Sequence, residues 1–398
     1  MHSQLIIYLW KGTMFSRQVK DRLIRNGLLL AALSSSMVLL LITVFLFKEG
    51  ATLFWESPVE FGFAIVTHPE LDVVELSASD LMEIKEGRAR YWSVFGGPDR
   101  RIAWLSYDDL EDEDASLCEL VAQTPGAVAA VFEEEVTDEV RPVHVPNISL
   151  TDFLFGRYWY PTAEPAGQFG ILPLILGSLM VVSGAVVISV PLGVACAVYL
   201  AEVAHPKVRE ALKPVLEILA GIPSVVFGFF GLVVLVPLVQ RLFDLPTGET
   251  ALSGMIMLAI MALPTVVSVS EDAIKAVPGT YREASLALGA SRWQTIYRVV
   301  VPAALSGINT AAMLGIGRAV GETMTVLMVT GNAAVIPHTF LQPVRTLTAN
   351  IAAELGEAPQ GGTHFKALFA IGCVLFTFSF IINMIADVVM RKYKQEER

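Results

Sequence analysis

The chain has 398 residues, 54% of them hydrophobic and 17% charged, with a mean hydropathy of +0.58 and a formal net charge of −11. That much apolar surface exceeds what a single soluble core hides, so an ordinary water-soluble domain is excluded and long membrane runs must be sought. No G-x-x-x-x-G-K-[ST] segment occurs, which excludes nucleotide binding through a P-loop.

Five apolar runs stand out in order: Gly27–Phe47, Ile171–Leu200, Val215–Val239, Ala251–Val269 and Ala367–Ile385. A sixth, Pro302–Val329, qualifies with Arg318 and Glu322 inside it. Since about 20 helical residues cross a bilayer core, the predicted fold class is an all-α polytopic membrane protein with six transmembrane helices. The first run is followed by Lys48 and Glu49 and lacks a small-x-small cleavage site, so it reads as a retained anchor and not a signal peptide. Met14 is an alternative start, because residues 1–13 add an apolar stretch that the membrane reading does not need.

These runs divide the chain into a cytoplasmic N-terminal segment (1–26), a first span (27–47), an extracytoplasmic acidic insert with an interfacial segment (48–169), a five-span core containing a cytoplasmic loop at 271–302 (170–390), and a cytoplasmic tail (391–398). Sixteen of the 28 Lys and Arg residues lie before Gly27, in Ala201–Pro214, in Ser270–Pro302 and after Met390. An even number of spans puts all four segments on one face, which the positive-inside rule makes cytoplasmic, with both termini inside. The acidity is concentrated outside: Lys48–Gln168 holds 8 basic and 24 acidic residues, against 20 basic and 15 acidic elsewhere.

From Glu49 to about Asn147 the composition becomes that of a soluble domain. Arg101–Tyr107 and Val128–Phe132 read as strands and Gly96-Gly97-Pro98 as a turn, which predicts a small α+β insert. The acidic run Asp108–Asp114 lacks the central glycine and ligand spacing of an EF-hand and reads as a solvated turn. Thr151 is expected to cap a short helix from Asp152 to Phe155, and Trp159, with Tyr158 and Tyr160, is expected at the membrane interface. Pro173 and Pro191 predict a second span that is kinked or begins outside the bilayer. In the third run, Gly221, Ser224, Gly228 and Gly231 mark a close-packing face. Neither the three cysteines nor the six histidines show disulfide or metal-ligand spacing, so no metal and no catalytic residue is assigned.

The cytoplasmic loop carries Glu283-Ala284-Ser285, then Gly289, then Val299-x-Val301-Pro302. Residues 281–288 are predicted to form a short helix that Gly289 ends, with Pro302 opening the next span. The spacing is that of EAA-x3-G-x9-I-x-L-P, with Ser for Ala and Val for Ile and Leu, and resembles the cytoplasmic signature of bacterial ABC importer membrane subunits. The runs EILAGIPSVVFGFFGL (217–232), LPTVVSVSEDAIKAVPGTYREASLALGA (263–290), GRAVGETMTVLMVTGN (317–332) and PVRTLTANIAAEL (343–355) further resemble phosphate importer permeases of the PstC type. The resemblance covers the second to sixth spans and leaves out residues 49–148.

Charged groups inside a span cost about 2.5–3.5 kcal/mol each on insertion scales and face a cavity, a partner or each other. Arg318 and Glu322, four residues apart, are expected to share a helix face. Two roles are open to them: an ion pair that holds the bundle, or a guanidinium fork for a tetrahedral oxyanion with Glu322 as its holder or competitor. The resemblance favours the second, since phosphate permeases carry such an Arg and Glu at the matching positions. Gly315, Gly317 and Gly321 imitate a dinucleotide fingerprint, but no strand precedes them, and Gly317 and Gly321 read as a close-packing face for a second subunit.

The resemblance implies the type I ABC importer permease fold, in the bacterial inner membrane and bounded by lipid. It implies a PstA-type partner permease, a dimer of ATP-binding subunits gripping Glu283, Ala284 and Gly289, and a periplasmic phosphate-binding protein. ATP and Mg would be held by the partner, with no cofactor in this chain and no nucleic acid. Rival readings are a permease for sulfate or molybdate, a membrane-anchored sensor acting through the acidic insert, and an intramembrane hydrolase, for which no Ser/His or paired-aspartate set lies in the spans.

Overall fold

The computed structural model describes residues 2–60, 62–73, 75–110 and 116–395, with side chains described from Arg22 to Ile385 outside those gaps and at Val388. Helix α1 (His2–Thr52) runs from the basic N-terminal segment into the first apolar run without a break, because no proline interrupts it. Its side chains from Arg22 to Ile42 are exposed, which suits lipid, and only its C-terminal end meets the rest of the chain. There Phe45 and Phe47 pack edge-to-face on Phe369 and Phe376, and Gly50 admits the facing helix: a Cβ on it would lie 2.8 Å from Cys373 Sγ.

The insert is an α+β unit. Its strands β1 (Phe63–Thr67), β2 (Ala103–Leu105), β3 (Ala127–Phe132) and β4 (Arg141–Pro142) form one sheet in the order β2-β3-β1-β4, with helices α2 (Ala78–Lys85) and α3 (Leu117–Gln123). β1 pairs antiparallel with β3 (Ile65 opposite Ala130) and β4, whereas β2 pairs parallel with β3. The two-residue side-chain period sends Ile65 to a core with Leu81, Trp92 and Val128, and Val66 to one with Leu117, Cys118, Val121 and Val131. The expected strands and the turn at Gly96 (φ 77°) are present. Of the acidic run, Asp108 and Asp109 lie in a 3-10 turn, Leu110 follows it, and positions 111–114 lie outside the described residues.

Two expectations for the segment before the second span are corrected. Helix α4 (Leu150–Phe155) is capped by Ser149, whose hydroxyl accepts from the Asp152 N–H at 3.0 Å, so the helix starts one position before Thr151. Trp159 is buried and not interfacial. It sits in the hairpin β5 (Trp159–Tyr160)/β6 (Gln168–Phe169) and packs with Phe153, Leu174 and Leu368, while its neighbours Tyr158 and Tyr160 are exposed.

The core begins with α5 (Leu172–Val203), which passes through Pro191 and finishes in a π-turn. Helix α6 (Pro206–Gly221) is amphipathic with no buried side chain, and α7 (Ser224–Phe243) follows it. The third span thus starts at Ser224, nine residues later than the apolar run suggested. Ile222 precedes Pro223 and takes an extended conformation (ψ 129°), which ends α6. Helix α8 (Ala251–Lys275) is the most buried span and packs against α5. Helix α9 (Gly279–Ala287) leads to α10 (Arg292–Ala303) and α11 (Leu305–Val320), which bend by 68° at Ala304. Pro302 therefore does not open the fifth span. It stands in the last turn of α10, directly after the π-turn Ile296–Val300, where it has no N–H to give the Arg298 carbonyl four residues back. Short α12 (Met324–Val329), the loop to Arg345, α13 (Leu347–Glu354) and α14 (Thr363–Gln395) complete the chain. Among the described residues five helices are long and apolar enough to span, and the bent pair α10–α11 makes the sixth.

Candidate functional site

The expected continuous fifth span is broken at the position where its charges lie. Helix α11 ends at Val320, and Thr323 (φ −118°, ψ −56°) separates it from α12, so Arg318 and Glu322 do not share a helix face. Arg318, half-buried in the last turn of α11, donates from Nη1 to Thr265 Oγ1 of α8 at 3.3 Å. Among the described residues it has no ion pair. Glu322 turns the other way: its Oε1 accepts the Thr325 N–H at 3.1 Å and so caps α12, and its carbonyl accepts from Thr348 Oγ1 at 2.8 Å.

Three interrupted elements meet here. Thr325, fully buried, donates its hydroxyl to the carbonyl of Ser224 at 2.9 Å, which joins the start of α12 to the start of α7. Thr348 brings the first turn of α13 to the same place. Irregular backbone at membrane depth survives only where it is buried in protein or lines a polar cavity, and helix starts carry positive partial charge. A guanidinium with a neutral partner, the Thr265 hydroxyl beside it, and helix starts suit an anion passing through a membrane, whereas Thr325 and Thr348 spend their protons on backbone carbonyls. Residue reasoning missed those hydroxyls and Ser224. Their signal was Pro223, Pro264 and Gly321 interrupting otherwise apolar runs, which is the usual sequence mark of a transporter's site.

Gly317 and Gly321 are exposed. A Cβ on Gly317 would meet nothing within 4 Å, and one on Gly321 only the Gly317 carbonyl at 3.7 Å. They pack against nothing within this chain.

On the opposite side of the core, α9 is anchored at its base. Arg282 donates to Glu202 Oε1 at 3.0 Å and to the carbonyls of Val277 and Ile274 at 2.6 and 3.0 Å, and Ser285 shares a buried hydroxyl contact of 2.9 Å with Thr295. Gly289 takes φ +85°, with its N–H on the Leu286 carbonyl and the Ala290 N–H on that of Ser285. This two-bond closure needs a left-handed residue after the helix, which glycine adopts without strain. Glu283, Ala284, Leu286 and Leu288 face outward, Leu288 at 89% exposure. The helix thus has a fixed base and an exposed apolar and acidic face.

A third cluster was not foreseen. Glu354, at the end of α13, receives Trp159 Nε1 at 3.0 Å, Arg345 Nη1 at 2.6 Å and His364 Nε2 at 2.9 Å. Burial alone would raise its pKa, but the hydrogen bonds from His364 and Trp159 and the charge of Arg345 outweigh it and hold the carboxyl below its ordinary range. Among the described residues no three His, Cys, Asp or Glu side chains gather closely enough to hold a metal ion.

Residues 189–395, more than half of the chain, match the family model described as "Binding-protein-dependent transport system inner membrane component". The chain is 42% identical over 251 residues to the "Probable ABC transporter permease protein YqgH" of Bacillus subtilis, covering 63% of this chain and 81% of that one. It is 34% identical over 259 residues to the "Phosphate transport system permease protein PstC" of Mesorhizobium japonicum (60% and 78% covered), and 33% over 262 residues to that of Haemophilus influenzae (61% and 82%). An α-helical span bundle interrupted where a lone guanidinium sits, an outward-facing lever helix, and these matches agree: the chain belongs to the binding-protein-dependent transport system inner membrane components, the permease subunits of ABC importers.

Proposed function

We propose that this permease carries phosphate, as half of a translocation pathway in the bacterial inner membrane with both termini cytoplasmic. The observation that carries the reading is Arg318: a guanidinium inside a span, held by the Thr265 hydroxyl and by no carboxylate among the described residues, while the nearby carboxylate of Glu322 is spent on capping α12. A planar fork of donors left without a carboxylate suits a tetrahedral oxyanion. The names of the relatives from Mesorhizobium japonicum and Haemophilus influenzae support phosphate as that anion. Glu322 holds the break open by capping α12, and so leaves Arg318 to the anion.

The remaining roles follow from the exposed surfaces. Gly317 and Gly321 receive a PstA-type permease next to Arg318. Glu283 and Ala284 on α9, with Gly289 setting its end, are gripped by a dimer of ATP-binding subunits, which hold ATP and Mg. A periplasmic phosphate-binding protein delivers cargo to the outer face. ATP-driven closure of the ATPase pair moves α9, and the spans rock to alternate access.

Arg318→Gln removes charge-assisted hydrogen bonds worth about 1.5–3 kcal/mol. Uptake of labelled phosphate is expected to fall roughly ten- to hundredfold with the assembled complex in normal amount; normal transport by that variant would remove Arg318 from the pathway. A second reading, another oxyanion such as sulfate or molybdate, is left open by the Bacillus subtilis relative, whose name specifies no cargo. Competition of unlabelled sulfate and molybdate against phosphate uptake separates the two.

A further inference from the structure

Helix α13 is a rod of eight residues, about 12 Å long at 1.5 Å per residue, with its first four residues buried. Leu347, Ala349 and Asn350 on it are 2%, 0% and 0% exposed. Its first turn is held by Thr346, which accepts from the Ala349 N–H at 3.2 Å, and by Ser178 of α5, which accepts from the Leu347 N–H at 2.9 Å. From that turn Thr348 reaches the Glu322 carbonyl. Its last residue, Glu354, is held from three other parts of the chain: the outer hairpin (Trp159), the segment before the rod (Arg345) and the start of α14 (His364). Arg345 also donates to the Asn332 carbonyl at 2.7 Å and to Asn350 Oδ1 at 3.1 Å, so one side chain braces the middle and the end of the rod.

The hairpin in turn is tied to the insert. Gly167 N–H donates to the Pro58 carbonyl at 2.8 Å and Lys85 Nζ to the Glu164 carbonyl at 3.0 Å. A partly buried carboxylate with donors from three directions tolerates little loosening, because each lost partner leaves charge desolvated and unpaired. A shift of the hairpin therefore moves the rod in preference to breaking the cluster. At the far end the rod meets a helix break, where the Glu322 carbonyl has no helical partner to resist displacement.

We infer that Glu354 is a positioning residue for the intramembrane site: through α13 it sets the backbone at Glu322, and with it the geometry around Arg318, from the outer hairpin. This rests on Arg318 receiving the anion. Glu354 itself touches neither Arg318 nor the pathway.

The test uses the whole importer, purified through a tag on this chain and reconstituted in liposomes with its loaded binding protein. The readout is phosphate moved per ATP hydrolysed. Glu354→Ala and Thr348→Val are each expected to lower that ratio about two- to tenfold, the range for one lost hydrogen bond. Glu354→Gln, which keeps an oxygen for Trp159 and Arg345, restores most of it. Combined, Glu354→Ala and Thr348→Val should do no more than the worse of the two, since both cut one link, whereas independent sites this far apart multiply. Multiplied effects overturn the inference, as does a parallel fall of transport and hydrolysis at constant ratio, the mark of a merely structural role. Should Glu354→Ala fail to assemble, Trp159→Phe removes the indole donor alone and takes its place. The ratio is read with whichever oxyanion the wild type carries, which separates a wrong cargo from a wrong role for the rod.

Discussion

Arg318 stands in a span where the chain is interrupted, and the interruption is made by side chains that serve the backbone. Glu322 caps α12, Thr325 ties that cap to Ser224, and Thr348 closes the remaining carbonyl. Thr325→Val is therefore expected to remove the tie between the starts of α12 and α7, at a cost of about 0.5–1.5 kcal/mol for one hydrogen bond. Its detergent-solubilised melting temperature should drop, and a wild-type value would show the link to be dispensable. Glu354 makes a prediction with pH. Its folded pKa lies below the value of about 4.3 for an unfolded Glu, so its contribution is complete above that value and is lost as pH falls through the folded pKa. Emission from a variant whose other tryptophans are replaced by Phe should report Trp159 becoming solvated only in acid below about pH 4, and Glu354→Gln should abolish that step.

At the scale of elements, short helices do the work that the long spans cannot. Helix α9 is held at its base by Arg282 and Ser285 and shut at its end by Gly289 in the left-handed region. Gly289→Ala places a Cβ where φ is +85°, a strain of about 1–2 kcal/mol, and disturbs the helix end. Such a variant should insert in the membrane normally but retain less ATPase subunit on copurification; undiminished retention would mean that the lever does not depend on this closure. The Gly317–Gly321 face gives the complementary case. Since a Cβ at Gly317 meets nothing within the chain, Gly317→Leu should fold as wild type and lose only the partner permease, read by the yield of the two-permease complex.

For the whole molecule, the outer insert is a separate α+β unit whose surface carries most of the negative charge, yet it is bound to the core through the hairpin and through Glu56. Beyond a Debye length of about 8 Å its charge is screened from the pore, so an acidic domain is compatible with the anionic cargo proposed above. Leu53 is fully buried in the core and Glu56 pairs with Lys366, so an informative deletion keeps both and removes residues 60–144 behind a short flexible linker. The truncated chain is expected to insert all its spans and to lose binding-protein-stimulated uptake. Uptake with unchanged rate and affinity would leave the insert without a transport role.

Hydropathy alone determined the number of spans, because burying backbone in lipid demands unbroken apolar helices of a set length. It also determined the α+β character of the insert, from local strand and turn chemistry, and the lever helix, whose cap and left-handed glycine are neighbours in the chain. The meeting of Ser224, Thr265, Arg318, Glu322 and Thr348 was not legible there, nor was the gathering of Trp159, Arg345 and His364 on Glu354. Those groups stand up to about 200 positions apart, and hydrogen bonds across such separations carry no periodicity that a single sequence displays. Even the spacing of Arg318 and Glu322 misled: four residues mean one face only while the helix continues. Whether it continues was decided by the partners that Glu322 found on two other elements.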